Sequence, residues 1–304
     1  MVCRLRFTLG QPFAEETIQM RITRRQALTT LAVAMTASCQ MTANKDLSTT
    51  RYVRFSRKNR TAYGILERNS INEIVGDPFG LIERLEIEHR LEDVKLLYPC
   101  TPTKILALAG NYKSHLSDQH PPSRPQVFYK PVSALQNPND PIIIPKGATE
   151  VHYEGELVIV LKRRAHRVSV AEAKEVILGV TCGNDVSERQ WQGGSEKDVQ
   201  WWRAKGADTF APLGPCIAQG IDYGNLLMTT RLNGQVVQEV STSKLIFDCP
   251  TVVSFISRYV TLMPGDLIYT GTSGKTGPMN AGDRIEVEVE GVGTLINPVV
   301  KAKG

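Results

Sequence analysis

The sequence predicts an α+β fold that is mainly β, and three observations carry that reading. Short β-branched and aromatic runs recur from Tyr52 to Glu290. Only two segments carry helix-start signals, Ser169 with Glu172 three residues later and Pro250 ahead of an apolar run. An Asn233-Gly234 pair divides one long extended stretch, Arg231 to Val240, as the favoured two-residue hairpin turn does.

The elements follow in chain order. Residues 51–100 form a small β-rich N-terminal domain, with Tyr52-Val53-Arg54-Phe55 and Tyr63-Gly64-Ile65-Leu66 as strands. Residues 101–304 form the second domain. Lys104 to Leu108 is apolar enough for a buried strand, and Glu156 to Leu161 has the β-branched content of a core strand. The Ser169 capping box opens a helix expected to stop at Gly179. Apolar residues then lead through Cys182 to Asp185. Pro250 opens a helix reaching Tyr259, and Leu267 to Thr270 and Ile285 to Glu290 supply further strands.

The N-terminal segment reads as a leader. Residues 1–19 carry no pattern and look like an upstream extension. From Met20 a basic stretch with Arg21, Arg24 and Arg25 precedes the apolar run Ala27 to Thr36. Small residues then stand before Cys39, in the order of a secretory signal. Thr23-Arg24-Arg25-Gln26-Ala27-Leu28 resembles a twin-arginine motif. Residues 20–39 are therefore expected to direct export to the periplasm, with Cys39 as a site for a lipid anchor; a cytoplasmic location is the alternative. Residues 40–50 are polar and read as a linker.

Composition excludes some functions. The formal charge is only +5, and no basic stripe is interleaved with aromatics, so no nucleic-acid partner is expected. The six cysteines form no CxxC pair, which argues against structural zinc. The last four are expected to be buried thiols. Gly274-Lys275-Thr276 lacks the glycine a phosphate-binding loop needs five residues before Gly274, because Tyr269 stands there.

The most informative residues are acidic. Glu154 and Glu156, in His-Tyr-Glu-Gly-Glu-Leu, are spaced to point to one face of a strand. Two carboxylates on one buried face require a proton or a cation between them. Asp185, at the end of another apolar stretch, offers a third carboxylate. An all-oxygen site of this kind suits Mg²⁺, Mn²⁺ or Ca²⁺ better than zinc.

These residues also carry a resemblance. Glu154-x-Glu156, Asp185 in Asn-Asp-Val-Ser-x-Arg, Trp202-x-Ala204-Lys205-Gly206-x-Asp208-Thr209-Phe210, Pro264-Gly265-Asp266 and Thr270-Gly271-Thr272 occur in the order seen in the fumarylacetoacetate hydrolase family. Gly110-Asn111-Tyr112-x-x-His115 matches its upstream loop. The resemblance implies a mixed β-roll with a small N-terminal β domain, usually a homodimer, acting on small 2-oxo acids and 1,3-dicarbonyl compounds. It implies that Glu154, Glu156 and Asp185 hold Mg²⁺ or Mn²⁺. His115 would be the base, oriented by Asp118 where the family carries Glu, and Lys205 would stabilise negative charge. Arg189, Gln192 and Thr272 would bind substrate. The leading expectation is hydrolysis of a C–C bond in acylpyruvates or related diketo acids. Decarboxylation or isomerisation of 2-oxo dicarboxylic acids on the same site is the alternative, and an exported non-catalytic oxo-acid binder is a reading from another class. The chain departs from the family at Ser273-Gly274-Lys275-Thr276-Gly277, where a Pro and a Gly-Val-Gly turn are usual, and at Glu188 and Gln190.

Overall fold

The computed structural model describes residues 49–116 and 120–303. The leader, the twin-arginine motif, Cys39 and Asp118 lie outside these residues. Among the described residues no helix is long and apolar enough to cross a membrane.

A twelve-stranded sheet forms the body of the molecule. Its central strands are Ala211–Gln219, Ile177–Asn184, Gly155–Leu161 and Leu267–Tyr269, in that spatial order. The N-terminal strand Thr50–Arg57 joins this sheet by pairing antiparallel with Ala211–Gln219. It carries the meander Arg60–Glu67, Ser70–Val75 and Glu83–Arg90 beside it. A second sheet of five strands contains the predicted hairpin, Leu227–Leu232 and Gln235–Ser241. Asn233 and Gly234 both have positive φ, 52° and 80°, as the mirror-image turn requires.

Alternation along Gly155–Leu161 explains how the layers hold together. Leu157, Ile159 and Leu161 point to a core shared with Met228, Val287 and Leu295 of the smaller sheet and with Val252, Val253 and Ile256 of the helix Cys249–Ser257. Val158 and Val160 point to the opposite face, against Tyr52, Ile105, Leu267 and Tyr269. Fully burying each such aliphatic side chain contributes roughly 1.5–3 kcal/mol. A strand buried on both faces reads as continuous apolar sequence, and this one ends at the site because Glu156 shares the face of Val158.

Two helix boundaries differ from expectation. The Ser169 capping box is present, with Ser169 Oγ accepting from Glu172 N and Glu172 Oε2 accepting from Ser169 N. The helix ends at Val176 rather than Gly179, because Ile177 is already extended and begins the strand paired with Gly155–Leu161. Tertiary pairing of β-branched residues overrides the helical signal there. The Pro250 helix is capped by Asp248 and stops at Ser257, short of Tyr259. Cys100, Cys182, Cys216 and Cys249 are free and buried, and burial raises each thiol pKa, so they are inert.

Pro264-Gly265-Asp266 is a structural knot. Gly265 turns the chain at φ 79°. Buried Asp266 accepts hydrogen bonds from Thr103 N and Oγ1, Lys104 N and Met263 N, and pairs with Lys104 Nζ at 2.5 Å. Losing the carboxylate strands several backbone donors. Asp266→Ala is expected to cost about 3–5 kcal/mol, read as a lower urea midpoint with an unchanged slope. A loss below about 1 kcal/mol contradicts that role.

Candidate metal centre

The carboxylates meet where two antiparallel strands run out. Gly155 pairs with Asn184, so the residues just beyond, Glu154 and Asp185, lie side by side. Asp185 N donates to Glu154 O at 2.9 Å, and Glu154 N donates to the Asn184 side-chain oxygen at 2.9 Å. Glycine is needed between the two glutamates, since a Cβ at Gly155 would lie 2.0 Å from Thr230 Oγ1. A further loop closes the floor. Gly271, at φ 98°, donates its N–H to Glu156 Oε2 at 2.7 Å. Asn111 ties that loop to the upstream one through Thr270 O at 2.9 Å and to residue 247 through both the Phe247 N–H and C=O.

Glu154, Glu156 and Asp185 are all buried, and each offers an oxygen within 4.8 Å of the others. Their charges are managed unequally. Burial opposes ionisation of Glu154, but Lys205 and then Arg189 override it and hold its pKa near 2. Glu156 makes no ion pair among the described residues, and the charge of Lys205 offsets only part of what opposes its ionisation. Burial, then the charges of Asp185 and Glu154, push its pKa well above 4.5. Its Oε1 has no hydrogen-bond partner among the described residues.

Two buried lysines face the acids. Lys205 Nζ donates to Glu154 Oε2 at 2.7 Å and Asp185 Oδ2 at 2.6 Å. Burial opposes its charge, but Asp185 and Glu154 raise its pKa. Lys130 Nζ pairs with Asp185 Oδ1 at 2.5 Å and donates to Lys205 O. For Lys130 burial wins and its pKa falls.

The donor set fits a hard divalent cation: three clustered carboxylate oxygens, no sulfur or imidazole among them, and one orphaned buried oxygen. In this geometry such a cation competes with Lys205 for Glu154 and Asp185.

His115, Arg189, Gln192 and Thr272 are the remaining residues named from sequence that lie among the described residues. His115 donates Nδ1–H to Gly274 O at 2.7 Å, a carbonyl being able only to accept. In the neutral imidazole Nε2 then carries the lone pair. Arg189 Nη2 lies 2.7 Å from Glu154 Oε1, and its Nη1 donates to Gln192 Oε1 at 2.5 Å. Thr272 is buried; its hydroxyl donates to Gly155 O at 3.0 Å and accepts from Gln238 at 2.9 Å, so its proton is committed to the scaffold. Glu188 caps the short helix Arg189–Gln192 and accepts from Thr149 N and Glu150 N. Its replacement of a small residue is thus a local structural change.

Several residues beside the carboxylates had no role from sequence. Lys130 sits in an edge strand; the resemblance places the Tyr129-Lys130 segment near the site but gives the lysine no partner. Gln238 braces Thr272 and Ser273 O. His152 and Thr276 join at 3.0 Å, and Thr276 Oγ1 accepts from Arg189 Nη2 at 2.6 Å.

A model described as the fumarylacetoacetate (FAA) hydrolase C-terminal domain matches residues 104–300. The chain belongs to the fumarylacetoacetate hydrolase family. Residues 50–99 match a second model, described as Rv2993c-like, N-terminal. Among family relatives, Protein Rv2993c of Mycobacterium tuberculosis is 44% identical over 234 residues, 75% of this chain and 87% of that protein. Oxaloacetate tautomerase FAHD2A, mitochondrial, of Bos taurus is 36% identical over 221 residues, 68% of this chain and 70% of that protein. Three crystal structures share the family fold. A 2-hydroxyhepta-2,4-diene-1,7-dioate isomerase from Mycobacterium marinum is 39% identical with TM-score 0.78, over 84% of this chain and 100% of that one. A 5-carboxymethyl-2-hydroxymuconate delta-isomerase from Mycobacterium smegmatis is 41% identical with TM-score 0.78, over 83% and 100%. A maleylpyruvate hydrolase from Sphingobium sp. SYK-6, in complex with manganese(II) and pyruvate, is 28% identical with TM-score 0.69, over 83% and 100%.

Proposed function

We propose that this family member is a divalent-metal isomerase of 2-oxo dicarboxylic acids, moving a proton between carbon and oxygen through an enolate. The observation that carries the reading is the placement of His115. Its Nδ1–H is fixed on Gly274 O, which leaves the lone pair of the neutral ring on Nε2, and the ring is near enough to the buried acids for its charge to act on Glu154. One base and an electrophilic site suffice for enolisation, whereas hydrolysis also needs a water to be activated and a carbon leaving group to be protonated.

Glu154, Glu156 and Asp185 would hold Mg²⁺ or Mn²⁺. When bound, that cation supplies Lewis-acid polarisation of the 2-oxo oxygen. Arg189, with its planar fork, binds a substrate carboxylate. Lys205 stabilises negative charge developing on the oxo oxygen. His115 Nε2 removes the proton from the carbon next to the oxo group and returns it at the new position. The buried walls limit water and strengthen these interactions.

The likeness to isomerases and a tautomerase at 36–41% identity supports this reading over C–C hydrolysis. Hydrolysis of acylpyruvates is the second reading, favoured by the likeness to maleylpyruvate hydrolase at 28% identity. The export signal, the lipid anchor at Cys39, the role of Asp118 and the homodimer remain proposals from the sequence.

The test follows enol absorbance of oxaloacetate with added Mn²⁺. Turnover is expected to vanish with EDTA and to fall about 10²–10⁴-fold in His115→Ala. Cleavage of acylpyruvates without any acceleration of enolisation would favour the second reading. Activity indifferent to EDTA contradicts both.

A further inference from the structure

We infer that Thr276 is a positioning residue that holds Arg189 ready for the far carboxylate of a dicarboxylic substrate; the inference rests on the oxo-dicarboxylate reading above. A directed chain of hydrogen bonds supports it. Arg189 Nη2 donates to Thr276 Oγ1 at 2.6 Å. At the other end, His152 Nε2 lies 3.2 Å from Glu150 Oε1, and Glu150 Oε2 accepts from Gln190 at 2.7 Å. A carboxylate only accepts, so Nε2 carries the His152 proton. In the neutral ring Nδ1 accepts the Thr276 hydroxyl proton at 3.0 Å. Every donor in the chain from Arg189 through Thr276 and His152 to Glu150 then has one acceptor.

The physical consequence concerns the guanidinium. Arg189 Nη2 is shared between Thr276 and Glu154 Oε1, which lies 2.7 Å away. Glu154 is also a candidate cation ligand. When a cation draws on Glu154, Thr276 and Gln192 are the neutral acceptors that keep the fork in place with its charge unspent. A guanidinium kept in place in this way binds a carboxylate with less ordering cost. Valine matches threonine in shape but can neither accept from Arg189 nor donate to His152.

Thr276→Val and Thr276→Ser, each loaded with Mn²⁺, are compared on oxaloacetate and on its 4-methyl ester, which keeps the 1-carboxylate but lacks the far charge. Thr276→Val should raise KM for oxaloacetate about tenfold, about one hydrogen bond's worth, with kcat within twofold. KM for the ester should hold, and Thr276→Ser should restore wild-type KM within about twofold. In an Arg189→Met background, Thr276→Val should add less than twofold, because its effect runs through Arg189. Equal losses on both substrates, a fall in kcat alone, full additivity with Arg189→Met, or no change would each overturn the inference. Binding of 2-oxoglutarate against 2-oxobutyrate separates it from the isomerase reading. If wild type enolises nothing but prefers the diacid, and Thr276→Val erases that preference, the positioning role stands and the isomerase reading falls. If wild type binds neither acid, both fall.

Discussion

Glu156→Gln is expected to abolish Mn²⁺ uptake while leaving the metal-free fold at least as stable as wild type at pH 7. The two halves have one cause. Glu156 is buried among like charges, so its pKa is raised well above 4.5 in the folded chain, which favours the neutral acid when no cation is present. Glutamine copies that neutral acid. The linkage sign follows: a carboxyl whose folded pKa is raised binds its proton more tightly folded than unfolded. Its penalty on stability is absent below 4.5 and grows as pH rises toward the folded pKa. Cation uptake requires the ionised form, so binding releases a proton and tightens as pH rises. The amide can do neither, and the affinity loss should exceed roughly 100-fold, beyond what outer-shell changes produce. Two measurements decide it, manganese titration and the pH dependence of urea unfolding. A variant that binds Mn²⁺ normally, or whose metal-free form is several kcal/mol weaker, contradicts the assignment.

Lys130→Met should destabilise the chain by about 3–5 kcal/mol, the usual cost of breaking a fully buried ion pair by removing one partner. Lys130 is 2% exposed and Asp185 0%, so water does not replace the lost ammonium. Its donation to Lys205 O is also lost, which loosens the short helix Trp202–Gly206 that carries Lys205. At roughly 2–4 °C per kcal/mol for a chain of this size, Tm should fall by roughly 6–20 °C. Because burial lowers the Lys130 pKa in the folded chain, the folded state gives up this proton before the unfolded one does, so the wild type should gain stability from this group as pH rises through the alkaline range. A variant within about 1 kcal/mol of wild type would show that Lys205 alone neutralises Asp185.

How much of this was legible in the sequence depends on the range over which a residue acts. The strands around Val53, Leu106, Ile159 and Ile268 were legible because burial imposes local apolar and β-branched runs. Glu154, Glu156 and Asp185 were legible because two acids entering an apolar strand, and a third at the end of another, are costly without a partner. The resemblance puts Tyr129 and Lys130 on a segment near the site and favours core packing for Tyr129; the structure exposes Tyr129 and buries Lys130, and the lysine's ion pair stays hidden until the strand Gln126–Lys130 is placed beside Asp185. The His152, Thr276 and Arg189 chain was equally hidden, because it joins positions 124 and 87 residues apart. The helix ends at Val176 and Ser257 were missed because strand pairing at Ile177 and packing around the second helix outweigh local caps. Thr272 was expected to face substrate, and the structure commits its proton to Gly155 O.

The central claim is that Glu154, Glu156 and Asp185 together take up one divalent cation. Calorimetric titration of MnCl₂ into chelator-stripped protein, in two buffers of different ionisation enthalpy, tests it most directly. One ion per chain with proton release is predicted for wild type, and no measurable uptake for Glu154→Ala or Asp185→Ala. Equal uptake by all three proteins would contradict it.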